Sequence, residues 1–299
     1  MNWFLYAISG YFLYAASTVA DKFLLRQRAT TNPIAYNFYI GILGVFAFVL
    51  APFGLAWPGF WQFALDIFAG ILFFLGLLFF YQALDINEPS RVTSIIGSLV
   101  PVLVLFFSYI FLAERLGFTQ IMAFFLLVLG GFLISFKKLK SGLAGAMNGK
   151  KYIIFAILTY AVYLILTKYI FIQQGFVTGF LWTRFGAFLA AISVLLYPGW
   201  RKVIFSSAAQ TSFGLGSLLI FAKVSAGIGS FFVHLAISRG SVSVINAMQG
   251  AEYAFLLILA IVFSKKFPQI LKEEISGGIL IQKIFAIILI GFGLSLLSL

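Results

Sequence analysis

Residues 92–112 read VTSIIGSLVPVLVLFFSYIFL, a run of 21 residues without a charged side chain. A helix of this length rises about 30 Å, which matches the hydrocarbon thickness of a lipid bilayer. Only 9% of the 299 residues are charged and 63% are hydrophobic, whereas soluble domains carry roughly 25% charged residues. The stretch therefore predicts a membrane-spanning helix in a protein that lies mostly within lipid.

Nine further stretches have a similar length and composition. We predict an all-α integral membrane protein with ten spans, at residues 3–22, 34–53, 62–84, 92–112, 117–137, 151–171, 177–197, 212–236, 242–264 and 277–298. The first stretch lacks a basic start and a small-residue cleavage site, so we expect a retained helix and no signal peptide. Pro101 lies in the middle of a span, whereas the other prolines lie at or near span ends, and we expect it to bend the helix and act as a hinge.

The composition also excludes several classes of site. The chain has no cysteine and one histidine, so disulfide frameworks, thiolate sites and histidine metal clusters are not available. No glycine-rich phosphate loop follows a strand pattern. We therefore expect neither a metal nor a cofactor.

The two halves of the chain resemble each other. The polar stretch at 137–149 predicts a linker between a first five-helix repeat at 1–136 and a second at 150–299. Three collinear sets of matches support a duplication. They pair Ala7, Tyr11, Tyr14 and Thr18 with Ala156, Tyr160, Tyr163 and Thr167; Pro52 with Pro198; and Gly76, Ala83, Ser90 and Gly97 with Gly229, Ala236, Ser243 and Gly250. Because five is odd, the second repeat would be inverted in the membrane.

The basic residues concentrate on one side of the predicted bundle, which we call the basic face. Of the 20 Lys and Arg residues, this face carries 15: Lys22, Arg26, Arg28, Arg91, Lys137, Lys138, Lys140, Lys150, Lys151, Arg201, Lys202, Lys265, Lys266, Lys272 and Lys283. The positive-inside rule places this face in the cytoplasm and both termini on the opposite face. The net charge of +12 then reflects topology and contact with anionic lipids, not nucleic-acid binding.

One segment of each half resembles a known family. Residues 88–135, EPSRVTSIIGSLVPVLVLFFSYIFLAERLGFTQIMAFFLLVLGGFLIS, are similar to the second half of an EamA repeat of the drug/metabolite transporter superfamily. A weaker copy runs SRGSVSVINAMQGAEYAFLLILAIVFSKK from residue 238, followed by Glu274, Gln282 and IGFGLSL, with Ala254 where the first copy has proline.

The resemblance implies two inverted five-helix repeats around a central cavity lined mainly by spans 1, 3, 4, 6, 8 and 9. It also implies export or exchange of small organic solutes, in a multi-pass protein that we expect in a prokaryotic inner membrane. Members of this family have cytoplasmic termini, whereas the charge distribution here places both termini outside.

Two charged residues lie deep in neighbouring spans. Lys223 and Glu252 are each about ten residues into the eighth and ninth spans, which a hairpin near Arg239 joins. Ionisable groups inside a membrane are costly and usually functional. We predict that they pair in the cavity and bind substrate or couple transport to protons, although a static ion pair is the alternative.

Further polar residues are candidates for the cavity wall. Arg184 is close enough to an interface for its stem to reach lipid headgroups. His234 could titrate near neutral pH, although a lone histidine near the end of a span is more often an interfacial residue with satisfied hydrogen bonds. The remaining candidates share an amide, hydroxyl or phenol group on a span: Tyr11, Tyr14, Tyr160, Tyr163, Asn246, Gln249, Ser94 and Ser98. For the tyrosines, packing in an aromatic core is an equally good interpretation. We expect Glu114 and Arg115, in the connector between spans 4 and 5, to cap helices.

The sequence therefore favours a secondary transporter of small amphipathic solutes and not an enzyme. The alternative is an integral-membrane enzyme acting on a lipid-like substrate, for which one histidine and few acids are a poor basis. A channel would require rings of like charge or a polar stripe along a pore, and neither is evident.

Overall fold

The computed structural model describes residues 2–26, 32–87, 89–135, 148–208, 213–264 and 277–298. All regular structure in these ranges is helical. Ten helical segments are long and apolar enough to cross a membrane, and each agrees with a predicted span to within a few residues. The all-helical fold with ten candidate spans is confirmed.

The described ranges contain twelve α-helices and one 3₁₀ helix. They are α1 (Asn2–Arg26), α2 (Pro33–Leu43), the 3₁₀ helix (Gly44–Phe53), α3 (Phe60–Ile86), α4 (Pro89–Phe111), α5 (Phe118–Ser135), α6 (Lys150–Gln174), α7 (Phe176–Val194), α8 (Pro198–Ala208), α9 (Phe213–Arg239), α10 (Val242–Ala247), α11 (Gln249–Ser264) and α12 (Gly277–Ser298).

Two of the ten spans are composite, and one helix was not predicted. The second span joins α2 to the 3₁₀ helix, and the ninth joins α10 to α11 with an interruption at Met248. The additional helix α8 begins at Pro198 and carries Trp200 followed by Arg201 and Lys202. An aromatic residue beside basic ones is typical of the membrane interface.

The two halves of the chain exchange equivalent contacts. Helix α1 of the first half packs against α9 and α11 of the second, and α6 of the second half packs against α3 and α4 of the first. The fifth and tenth spans, α5 and α12, pack against each other, and α7 packs against α2 and α3. Each helix of the first half thus has its main partners in the second half.

Two matched glycines make these contacts close. A Cβ atom on Gly76 would lie 2.7 Å from the ring of Tyr160 in α6, and one on Gly229 would lie 2.9 Å from the carbonyl oxygen of Gly10 in α1. Small residues allow helix backbones to approach in a membrane, where packing drives association. The matched positions therefore serve the same purpose in both halves.

Large apolar side chains cover the outside of the bundle. Those most exposed include Phe46, Val49, Phe53, Phe60, Trp61, Phe118, Leu196, Ile281 and Phe292. Water would not stabilise such a surface, but lipid does. The chain is an integral, multi-pass membrane protein.

Some predicted features lie outside the described residues. They are the linker except for residues 148 and 149, the family-like Glu88 and Glu274, and the basic residues Arg28, Lys137, Lys138, Lys140, Lys265, Lys266 and Lys272.

Candidate functional site

A polar stripe runs along one face of α1. Tyr11, Tyr14, Thr18 and Asp21 are spaced by three or four residues, which places them on the same side of a helix. This side faces α9 and α11, against which α1 packs. The stripe leads from the middle of the span to its basic-face end at Asp21.

An ion pair lies at the basic-face end of the stripe. The Lys223 ammonium of α9 is 3.1 Å from Oδ1 and 3.2 Å from Oδ2 of Asp21. It also donates a hydrogen bond to the Tyr36 hydroxyl and lies 3.9 Å from the centroid of that ring. The Tyr36 ring packs edge-on against Tyr81 of α3. These groups tie α1, α2, α3 and α9 together, and we call them the basic-face cluster.

The predicted pair of Lys223 with Glu252 is therefore wrong. Glu252 instead accepts a hydrogen bond from Thr18, with 3.5 Å between the two oxygens. Thr18 and Asp21 are one turn apart on α1, so the two charged residues contact successive positions of the stripe. The span containing Lys223 begins at Gly216, later than predicted, and its side chain extends toward the basic face.

Glu252 lies among phenol groups. It interacts electrostatically with Tyr11 and Tyr14 of α1, Tyr81 of α3 and Tyr253 of α11. The hydrogen bond from Thr18 places the carboxyl group between the two halves of the chain, at the polar face of α1. It is the one acidic residue of the ninth span.

A second buried cation, Arg184, lies in α7. Its Nη2 atom donates to the Ser230 hydroxyl at 2.6 Å and is 3.5 Å from Nε2 of His234. The guanidinium carbon lies 4.5 Å from the ring centroid of Phe73 and 5.0 Å from that of Phe180. We call Arg184, His234, Ser230 and Tyr163 the arginine cluster.

The arginine cluster corrects two sequence interpretations. Arg184 is only 7% exposed, so its stem does not extend to lipid headgroups. His234 is 5% exposed and lies within the bundle, with Nε2 at 2.6 Å from the Tyr163 hydroxyl. The sequence analysis treated Arg184, His234 and Tyr163 as separate candidates, whereas the structure brings them into one hydrogen-bonded cluster.

The four candidate tyrosines form two equivalent pairs. The rings of Tyr11 and Tyr14 in α1 are 6.1 Å apart, and those of Tyr160 and Tyr163 in α6 are 6.0 Å apart. Arg184 interacts electrostatically with Tyr14, Tyr160 and Tyr163. The pair on α6 joins the arginine cluster through Tyr163, whose hydroxyl contacts His234.

The interrupted ninth span supplies backbone polar groups to the interior. Tyr11 donates to the carbonyl oxygen of Ile245 at 2.7 Å, near the end of α10. Asn246 is buried, and its Oδ1 atom has no hydrogen-bond partner among the described residues. Gln249 is half-buried at the start of α11. The backbone at Met248 stays in the helical region (φ −63°, ψ −5°), so the ninth span continues through this position with a local change of its hydrogen bonding.

No hydrogen bond described here joins the candidate residues on α4 to the basic-face cluster or the arginine cluster. Ser94 is buried, and Ser98 donates to the carbonyl oxygen of Ser94 at 2.8 Å, which satisfies its hydroxyl within the helix. Pro101 is buried inside α4, which continues to Phe111. Its role as a hinge stays a prediction.

A set of hydrogen bonds holds the hairpin between α9 and α10, at the end of the bundle opposite the basic face. Glu114 accepts hydrogen bonds from the Val242 backbone nitrogen at 3.1 Å and from the Ser243 hydroxyl at 2.7 Å. Lys168 of α6 donates to the carbonyl oxygens of Ile237 and Gly240, both at 2.8 Å. We call these contacts the hairpin latch. Glu114 caps the start of α10, as the sequence suggested.

Replacing Glu114 with Ala should open the hairpin latch. The chain has no cysteine, so Val242→Cys introduces a single thiol at a fully buried position. Because hydrogen bonds to a charged group contribute about 1.5–3 kcal/mol, we expect the Glu114→Ala change to speed maleimide labelling of this thiol roughly ten- to a hundredfold. Arg115→Ala, in the same connector, is the control and should not change the rate. Equal rates in all three proteins would contradict the latch.

Sequence reasoning missed three residues of the interior. Asp21 and Tyr36 partner Lys223, and Asp66 is fully buried in α3, where it accepts a 2.6 Å hydrogen bond from Gln174. The spacing of Asp21 from Tyr11, Tyr14 and Thr18 is the signal that could have identified it. Nothing in the sequence indicated the partner of Asp66, because Gln174 is 108 residues away.

One surface pocket is lined by other residues than this site, and the described residues contain no candidate metal centre. The pocket, of about 240 Å³, lies at the basic face between Asn32, Gln82, Asp85 and Tyr152. In the described ranges, no group of three or more His, Cys, Asp or Glu residues could hold a metal ion.

The first half of the chain matches a known family, described as "EamA-like transporter family", over residues 1–136. This family is part of the drug/metabolite transporter superfamily, in agreement with the resemblance noted from the sequence. The match indicates a membrane transporter of the drug/metabolite type.

Solved structures also resemble the whole chain. Among 28 matching chains, one described only as "Crystal structure of protein" aligns with a TM-score of 0.63 at 16% sequence identity. The alignment covers 98% of this chain and 95% of that chain, so the similarity in fold extends over both halves of this chain. No curated protein sequence matches the chain.

Proposed function

We propose that this EamA-like protein is a secondary transporter that exports or exchanges small organic metabolites or amphipathic solutes by alternating access. The observation that carries the proposal is the position of the polar groups along the bundle. The basic-face cluster ties helices together at one face, the hairpin latch does so at the other, and Glu252 and the arginine cluster lie between them. Two closures around a central polar site are what alternating access requires.

We further infer that residues 1–136 and 150–299 are two inverted repeats joined by the linker at 137–149. The exchanged packing of α1 and α6 supports this inference, since an axis in the membrane plane would relate the two sets of contacts. The basic face then lies in the cytoplasm by the positive-inside rule, with membrane lipids against the apolar surface. We infer no enzymatic role.

Glu252 is the group that we propose for coupling transport to protons. A half-buried carboxyl that accepts a hydrogen bond from one hydroxyl of α1 can exchange this partner for another when a proton or a solute binds. Lys223 has a resident acidic partner in Asp21. We therefore assign Lys223 to closing the basic face and not to the substrate.

Transport by the reconstituted protein tests this proposal. We expect proteoliposomes to take up members of a metabolite panel faster than empty liposomes, and to respond to a pH gradient. Glu252→Gln should slow this uptake about tenfold or more, because the amide keeps the shape but not the exchangeable proton. The matched control is Asp85→Asn, at an exposed position of α3, which should transport normally.

The outcomes separate the two parts of the proposal. If no solute moves faster than through empty liposomes, the protein is not a transporter of the classes tested. If Glu252→Gln transports at the rate of the unmodified protein with the same pH response, the coupling role of Glu252 is wrong and the transporter assignment stands.

A further inference from the structure

Two buried cations of the bundle, Lys223 and Arg184, differ in one respect. The Lys223 ammonium lies 3.1 Å from the Asp21 carboxylate, whereas the hydrogen-bond partners of Arg184 are the uncharged side chains of Ser230 and His234. Among the described residues, no carboxylate forms an ion pair with Arg184. An isolated charge in a low-dielectric interior is costly unless a counter-charge compensates it.

We propose that Arg184 binds the anionic group of an organic carboxylate whose apolar body packs on the surrounding aromatic rings. The proposal rests on the proposed function in one respect, because it takes the bound carboxylate to be the transported solute. The resident acids do not occupy the position. Asp66 is hydrogen-bonded to Gln174 and Glu252 to Thr18.

The guanidinium group is held ready for such a ligand. The rings of Phe73 and Phe180 lie 4.5 and 5.0 Å from its carbon atom, and Ser230 fixes Nη2 at 2.6 Å. A planar guanidinium in a fixed orientation matches the two oxygens of a carboxylate. The contacts restrict the rotamers of Arg184 before any ligand arrives.

His234 contributes to the site as a neutral group. Its Nδ1 atom lies 2.6 Å from the carbonyl oxygen of Ser230, which can only accept, so Nδ1 carries the proton. Nε2 then accepts from the Tyr163 hydroxyl at 2.6 Å. The histidine therefore orients Tyr163 and leaves Arg184 as the one charge of the cluster.

The rings around the cluster indicate the body of the ligand. Phe180 is 5.5 Å from the His234 ring, and Phe73 is 5.1 Å from Tyr163 and 6.3 Å from Tyr160. Stacked or edge-on aromatic contacts at such distances are favourable for planar apolar groups. An anion with a flat, apolar body fits this surrounding better than a small hydrated ion.

Calorimetric titration of the purified full-length protein tests the site. The probes are benzoate, its uncharged analogue benzamide, and acetate, which keeps the charge but lacks the ring. We expect benzoate to bind at least about tenfold more tightly than either of the other two. Equal affinities for benzoate and benzamide, or no binding of benzoate, would overturn the proposal.

Substitutions at Arg184 separate binding from folding. We expect Arg184→Gln to weaken benzoate binding about tenfold or more, Arg184→Lys to weaken it less, and the control Arg201→Gln, on the exposed face of α8, to leave it unchanged. Without ligand, Arg184→Gln should unfold at the same or a higher temperature, because it removes an uncompensated charge. A strongly destabilised Arg184→Gln protein would show that Arg184 is structural and would overturn the site.

The result is distinguishable from failure of the proposed function. Benzoate binding that depends on Arg184 without any solute transport would contradict the transporter proposal and support the anion site. Transport of a carboxylate panel by Arg184→Gln at the unmodified rate would overturn the anion site and leave the transporter proposal intact.

Discussion

Asp21→Asn should destabilise the folded protein by about 2–4 kcal/mol, because it leaves the Lys223 ammonium without its counter-charge inside the bundle. The side chain of Lys223 is only 7% exposed and that of Asp21 only 22%, so water compensates little of the loss. The Tyr36 hydroxyl remains as a partner but carries no charge. Unfolding in detergent, followed by loss of helical signal with temperature or denaturant, measures the change.

The double variant Asp21→Asn with Lys223→Met tests whether the instability comes from the unpaired Lys223 charge or from the loss of the Asp21 side chain itself. Removing both charges should restore most of the stability, since a buried ion pair can often be replaced by uncharged residues of similar size. Asp85→Asn, which removes an exposed acid, should have no measurable effect. If the double variant is as unstable as the single one, the ion pair is not the cause.

Gly70→Leu should disrupt the packing of α3 on α7. Even a Cβ atom on Gly70 would collide with the backbone carbonyl oxygen of Thr183, and Gly186 of α7 contacts the backbone of Ile67 in the same way. Backbone atoms cannot move aside as a side chain does, so the helices must separate. We expect a loss of about 3 kcal/mol or more and a decrease of roughly 6–12 °C in the unfolding midpoint.

Gly291→Leu is the matched control for this prediction. Gly291 lies in α12 at an exposed position with no atom within 4 Å of an added Cβ. The same substitution there should leave the unfolding midpoint within a degree or two of the unmodified protein. Similar midpoints for both variants would contradict the close contact between α3 and α7. Because Thr183 precedes Arg184, Gly70→Leu should also weaken benzoate binding.

The hydropathy of the chain determined the number and position of the spans, because each span must be apolar along its own length whatever its neighbours are. The interruption at Met248 and the short helix α8 were not predicted, since both depend on how a segment meets the rest of the bundle. The glycine and tyrosine matches between the halves also came from the sequence, because a duplicated residue keeps its place in its helix.

Only the tertiary structure decided which polar groups meet. Lys223 could be assigned to the eighth span from sequence, but its partner depended on where that span begins and how α9 turns toward α1. A shift of one helical turn is about 5 Å, which is enough to replace Glu252 by Asp21 as the nearest acid. In the same way, the contacts of Arg184 with Phe73 of α3 and Ser230 of α9 follow from the packing of these helices on α7. Local composition sets the depth of a residue in the membrane, whereas its partners depend on helix rotation and register, which long-range packing determines.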